Sequence, residues 1–167
     1  WGRCVEGLGG FLALQYPDYK DVIVANTERY AAELRGVHSD FAAELMALSD
    51  SNRAMVTAHD AFSYFGRAFA IEVMGLQGVS TAAEFGVNDI RSTAEFIIER
   101  ELTTVFTETS VNAKSIEALK EAVEQKGGAV RLGKPLFSDA LGEKGSPEAT
   151  LIGAFKYNTT QILNSLK

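Results

Sequence analysis

The sequence predicts an α/β fold: a four-stranded parallel sheet flanked by helices and preceded by a long helix. Three observations predict it. Short apolar runs alternate four times with segments of helical period, which implies parallel strands with helices on the sheet faces. An apolar stripe at steps of three and four runs through Tyr30, Leu34, Val37, Phe41, Leu45 and Leu48, the mark of one long helix. The 167 residues are 46% apolar, enough for one real core.

In chain order, residues 1–50 read as a helical segment and 51–167 as the α/β part. Gly2 to Gln15 is apolar and Gly-containing, and Pro17-Asp18 marks a break or a new helix start. Ala54 to Ala58 is the first strand, and Asp60 to Phe69 the helix after it. Ile71 to Met74 is the second strand, and Asn88 or Asp89 caps a helix in which Ile90, Ala94, Ile97 and Ile98 share a face. Thr104 to Thr107 is the third strand. Asn112 caps a helix carrying Ile116, Leu119 and Val123, which Gly127-Gly128 closes. Ala129 to Leu132 is the fourth strand. Ser146-Pro147-Glu148 has the composition of a helix start: cap, Pro at the first position, acid near the positive dipole end. Ile152, Phe155, Thr159, Ile162 and Leu166 then share the buried face of a last helix. Crossovers between parallel strands should be right-handed.

A net charge of −6 without a Lys/Arg cluster argues against nucleic acid, whose phosphates need a basic surface. No apolar run approaches the ~20 residues of a membrane span. The single Cys4 cannot form an internal disulfide and reads as an incidental small residue. It is not a convincing lipid-anchor site, because no apolar signal segment precedes it. The opening Trp1-Gly2-Arg3, without an initiator Met, reads as a processed chain or a piece of a longer one.

Ligands of open parallel sheets gather at the carboxyl ends of the strands. The polar residues there are His59 and Asp60 after the first strand, and Gln77, Ser80, Thr81 and Glu84 after the second. Glu108, Thr109 and Ser110 follow the third, and Ser138 and Asp139 the fourth. Imidazole with carboxylate is a first shell that zinc or manganese accepts. Each residue also has a plainer role. Asp60 suits an N-cap, and Thr81 with Glu84 has capping-box spacing. Glu108 suits accepting bonds from the next helix start more than direct contact with a metal. His59 can serve as a polar core residue, and Asp139 can shape a turn. His38, on the long helix, reads as solvated or packed. No G-x-S-x-G, H-E-x-x-H or G-x-x-x-x-G-K-[ST] motif is present.

Four segments resemble one family in order. Thr57-Ala58-His59-Asp60-Ala61-Phe62-Ser63-Tyr64-Phe65 is similar to the T-A-H-D-A-F-x-Y-F segment of the zinc/manganese ABC-transporter solute-binding proteins. Gly75-Leu76-Gln77-Gly78-Val79-Ser80-Thr81 matches their G-x-Q-G-x-S-T, and Phe106-Thr107-Glu108-Thr109-Ser110 their F-x-E-x-S. Leu136-Phe137-Ser138-Asp139-Ala140-Leu141-Gly142 matches their L-F-S-D-x-x-G. Thr107 stands where an apolar residue is common.

The resemblance implies a two-lobed protein with a long helix spanning the lobes and a zinc or manganese ion between them. Two of four ligands then fall here, His59 and Asp139, with Asp60, Glu108 and Ser138 in support. The other two, His residues in D-P-H-x-W motifs of an N-terminal lobe, do not occur in this sequence, and His38 lies in no such motif. The expectation is therefore the C-terminal half of a periplasmic or extracytoplasmic protein, free or lipid-anchored in its parent, whose partners are the metal ion, an ABC permease and the missing N-terminal lobe. Self-association is expected if Phe11, Leu12, Leu14, Val22 and Ile23 lie uncovered. A metal-dependent hydrolase using His59 and a carboxylate, or a surface adhesin, are the alternatives.

Overall fold

The computed structural model describes residues 1–48, 53–78, 86–109 and 114–166. Ser80, Thr81, Glu84, Ser110 and Asn112 lie outside the described residues. The chain divides into two compact units, Trp1–Glu44 and Leu45–Lys167.

The first unit holds helix α1 (Gly2–Gln15), a 3-10 turn (Pro17–Tyr19) and most of α2 (Lys20–Met46). Pro17 opens the 3-10 turn and α2 follows it directly. The two helices meet where Gly9 faces Thr27. A Cβ on Gly9 would lie 2.1 Å from Thr27 Oγ1 and 2.8 Å from its Cβ. Thr27 itself is held by donating its hydroxyl to the Ile23 carbonyl at 2.7 Å. Arg35 and Glu6 pair across the same two helices at 2.5 Å. Within this unit Leu8, Phe11, Leu14 and Val22 are exposed, whereas Leu12 and Ile23 are half-buried.

The second unit carries the expected sheet: β1 (Ala54–His59), β2 (Glu72–Gln77), β3 (Thr104–Phe106) and β4 (Arg131–Leu132), in spatial order β2-β1-β3-β4 and all parallel. Helices α3 (Ser63–Phe69), α4 (Val87–Glu99), α5 (Lys114–Gln125) and α6 (Leu151–Leu166) accompany it. β1 is central and buried at every position, as the two-faced burial of a parallel strand requires. Alternation divides its side chains. Ala54, Val56 and Ala58 join Leu76, Ala94, Ile97, Val105, Ile116, Leu119 and Val123 in one apolar core. Met55, Thr57 and His59 therefore point to the other face. α3 and α6 meet through Phe65, Phe69 and Phe155, with ring centroids 4.8 to 6.3 Å apart. Among the described residues no helix is long and apolar enough to cross a membrane.

Several boundaries differ from the sequence expectations, each for a local reason. α3 starts at Ser63 rather than Asp60, because the chain bends first and Phe62 takes the N-cap position. In α4 the N-cap is Gly86, and Asp89 lies one turn in, reaching back to accept the Gly86 N–H at 2.7 Å. Phe96 rather than Ile98 completes the buried face of α4. Ser146-Pro147-Glu148 opens a 3-10 turn (Pro147–Ala149), not the last helix. α6 begins later, where Thr150 Oγ1 accepts the Gly153 N–H at 3.1 Å. The close of α5 is as expected: Gly127, at φ +81°, donates to Glu124 and Gly128 to Val123, the paired bonds of a Schellman end.

The two adjacent glycines of α1 should respond oppositely to alanine. Gly10 has open space where a Cβ would go, so Gly10→Ala should stabilise the helix by about 0.5–1 kcal/mol. Gly9→Ala forces the stiff, β-branched Thr27 aside and should destabilise by about 1–3 kcal/mol. Thermal unfolding of both variants checks this; equal shifts would mean the helices do not meet at Gly9.

Candidate metal centre

The strand order places the site. Order β2-β1-β3-β4 reverses between β1 and β3, and at such a switch point the crevice beyond the strand ends is open to a ligand. The register Val56↔Val105 and Thr57↔Phe106, continued two residues, sets Glu108 beside His59. Both then share one face of the sheet.

Glu108 is the centre of this edge. One carboxylate oxygen accepts the Ala58 N–H at 3.2 Å and the other the His59 N–H at 3.3 Å. The sequence expectation for Glu108, bonds from the helix start after it, falls on residues outside those described; the bonds observed come from a neighbouring strand end. Its side chain has no solvent exposure. Burial pushes its carboxyl above the ordinary range, and the His59 and Ala58 amides and the imidazole oppose that shift. Desolvation outweighs the favourable contacts because no water reaches either oxygen.

His59 lies between two carboxylates. Nδ1 stands 3.2 Å from Glu108 Oε1 and Nε2 stands 3.4 Å from Asp139 Oδ2. The Nδ1 contact is at ion-pair distance but off the ring N–H direction, so by hydrogen-bond geometry Nδ1 is a buried atom without a partner. At 3.2 Å a small ring rotation converts the contact to a bond. An acceptor beside Nδ1 selects the tautomer protonated there. In that tautomer Nε2 can offer its lone pair to a cation that the Asp139 carboxylate also meets.

The separation suits a cation. Two donors at ~2.1 Å from a tetrahedral zinc stand about 3.4 Å apart, the observed Nε2–Oδ2 distance. The two donors differ in setting: the His59 side chain is 3% exposed, that of Asp139 63%. Among the described residues, no three His, Cys, Asp or Glu are grouped to hold a metal. Glu108 lies on the far side of the ring from Asp139, so this chain offers an imidazole backed by one carboxylate and faced by another.

The remaining residues fall around this axis. Asp60, in the bend after β1, accepts the Ser63 hydroxyl and donates its N–H to Gln77 O at 3.0 Å. Thr57 Oγ1 donates to His59 O at 2.8 Å. Ser138 is half-buried beside Asp139. The loop carrying them starts as an extra rung on β3. Leu136 donates to Thr107 O and accepts from Thr109 N–H at 2.9 and 3.0 Å. His38, on α2, is exposed. Sequence reasoning passed over Asn158, which is 7% exposed and bonds both backbone groups of Phe137. Its signal was a polar residue beside Thr159 on the buried face of an apolar helix.

The fold and this edge define a class: α/β lobes that offer an imidazole and a carboxylate to a ligand at the carboxyl end of a parallel sheet. The chain belongs to the family of the zinc-uptake complex component A, periplasmic (ZnuA), whose model matches residues 1–165. The zinc-binding protein TroA of Treponema pallidum is 42% identical over 166 residues, covering 99% of this chain and 54% of that protein. The manganese-binding lipoprotein MntA of Bacillus subtilis is 35% identical over 167 residues, covering 100% of this chain and 55% of its own. The solved structure of the T. pallidum periplasmic zinc-binding protein TroA matches with a TM-score of 0.94 at 37% identity, over 99% of this chain and 60% of that one. Fe(III)-bound YtgA of Chlamydia trachomatis, at 24% identity and TM-score 0.90, shares the fold. The chain spans about half the length of the curated relatives it matches.

Gly75 is where the sheet leaves least room at this edge. A Cβ there would lie 2.7 Å from Asp60 N and 2.9 Å from the His59 carbonyl carbon. Backbone cannot swing aside as a flexible side chain can, so Gly75→Ala should destabilise the chain by about 1–3 kcal/mol. It should also move the His59 ring resonances in an NMR spectrum. Unchanged His59 shifts would show that β2 does not set the ring's position.

Proposed function

We propose that this chain forms the C-terminal part of an extracytoplasmic protein that captures zinc or manganese for an ABC importer. In this reading His59 and Asp139 are two of the metal's ligands, and Glu108, Asp60 and Ser138 support them. The observation that carries it is the pairing of a buried imidazole nitrogen with an exposed carboxylate oxygen at 3.4 Å, with a second carboxylate at the ring's other nitrogen. A carboxylate behind a ligating imidazole orients the ring and raises its basicity. The names of the relatives support the cargo class and the compartment: a zinc-binding protein and a manganese-binding lipoprotein. The reading is capture rather than turnover, with the remaining donors supplied from outside these 167 residues.

In the full gene product containing these residues, His59→Ala and Asp139→Ala should each weaken zinc binding more than about a hundredfold, beyond the usual range for a supporting residue. Glu108→Gln should weaken it by about 10–100-fold. Competition titration with a chromophoric chelator measures all three. Loss of binding in Glu108→Gln with intact binding in Asp139→Ala would reverse the assignment. A carboxylate in place of His59 should shift preference toward manganese, the harder ion.

Under this reading the described residues of the chain offer two donors where stable zinc sites hold three or four. Calorimetry should therefore find no tight one-to-one zinc complex. The same chain should self-associate, because Leu8, Phe11, Leu14 and Val22 leave apolar area exposed of the kind that finds partners. Light scattering over a dilution series tests this, and a strict monomer at all concentrations would exclude it.

A further inference from the structure

We propose that Asn158 is the positioning residue of the Asp139 loop, holding that carboxylate where it can share a cation with His59. The inference rests on the reading of Asp139 as a metal ligand.

Asn158 sits in the third turn of α6, among buried Ala154, Thr159 and Ile162. Its Oδ1 accepts the Phe137 N–H at 2.9 Å, and its Nδ2 donates to the Phe137 carbonyl at 2.7 Å. One amide thus meets both backbone groups of one residue, as an adjacent strand would. Asparagine alone does this at its length. Leucine fills the volume but leaves a part-buried N–H and C=O unmet, and aspartate sets a carboxylate oxygen against the carbonyl.

The clamp acts at a particular place in the loop. Leu136 is already fixed to Thr107 and Thr109 of the third strand's extension. The Phe137 ring packs edge-on against Tyr157, centroids 5.2 Å apart. Gly142 closes the far end by donating to Glu148 O at 2.8 Å. Asp139 comes two residues after the clamp, so few backbone torsions separate the fixed Phe137 from the carboxylate. Metal donors must be held to a fraction of an ångström by what stands behind them. His59 obtains that from Glu108 and the sheet. Asp139, 63% exposed at its side chain, obtains it from a backbone that Asn158 fixes.

The test is a double-mutant cycle in the full gene product. Asn158→Leu and Asn158→Asp are each made with and without Asp139→Ala. Zinc(II) affinity is read by chelator competition, and fold by circular dichroism and the unfolding midpoint. With Asp139 present, each Asn158 variant should weaken zinc binding about tenfold or more. With Asp139→Ala, it should change affinity by less than about twofold, because residues acting through one another are not additive. Equal weakening in both backgrounds, or no weakening with Asp139 present, overturns the proposal while leaving the metal reading intact. If Asp139→Ala itself does not weaken binding, the metal reading falls and this inference with it. Hydrogen exchange in the unsubstituted protein gives a reading that needs no variant: the Phe137 amide should be protected, and exchange at open-loop rates overturns the clamp.

Discussion

The arrangement depends on one buried carboxylate. Glu108 accepts the amides of Ala58 and His59, the last two residues of a central strand whose pairing with β3 ends at Thr57. A strand end buried among neighbours must place those N–H groups somewhere. An acidic side chain from the adjacent strand does so with charge-assisted bonds. Burying that charge is costly in turn, which is why its carboxyl is pushed above the ordinary range. An imidazole beside it, and under the proposed reading a cation beyond the imidazole, lowers that cost. The sheet edge and the candidate ligand are thus stabilised by the same group.

Much of this was legible in the sequence, and the limit can be located residue by residue. Strands and helices announce themselves through local period, so Ile116, Leu119 and Val123 were placed correctly on one face. His59 and Asp139 were named as candidates because each follows an expected strand and stands in a motif of the resembling family; what the structure adds is their approach to 3.4 Å. Glu108's partners were not legible, because the bonds join residues 49 and 50 positions apart and depend on which strands become neighbours. Spatial order β2-β1-β3-β4 cannot be read from period alone. The start of α6 was misplaced for another reason. Ser146-Pro147-Glu148 carries every local helix-start feature, yet the turn it opens is 3-10 and gives way to Thr150. Caps describe what a segment can begin, and the packing after it decides what continues.

Asn158 shows the same limit from the other side. A single polar residue on an apolar helix face is ambiguous in sequence, since it can be a tolerated intrusion or a designed contact. Only its distances to Phe137 separate the two. Buried amides that answer backbone groups across elements are costly to misplace, so such residues fix loops more firmly than apolar packing of equal area.

His59 and Asp139, facing each other at 3.4 Å, are unlike in what fixes them, and under the proposed reading that difference bears on capture and release. A carrier must hold its cargo firmly and still give it up, which two equally rigid donors would oppose. Here the imidazole belongs to a central strand, locked by amides and by a carboxylate with no exposure. The carboxylate belongs to a loop pinned at Leu136, Phe137 and Gly142 but open to water between them. A conformational change that loosened the loop would remove one donor while leaving the sheet untouched, because no backbone bond of β1 runs through it.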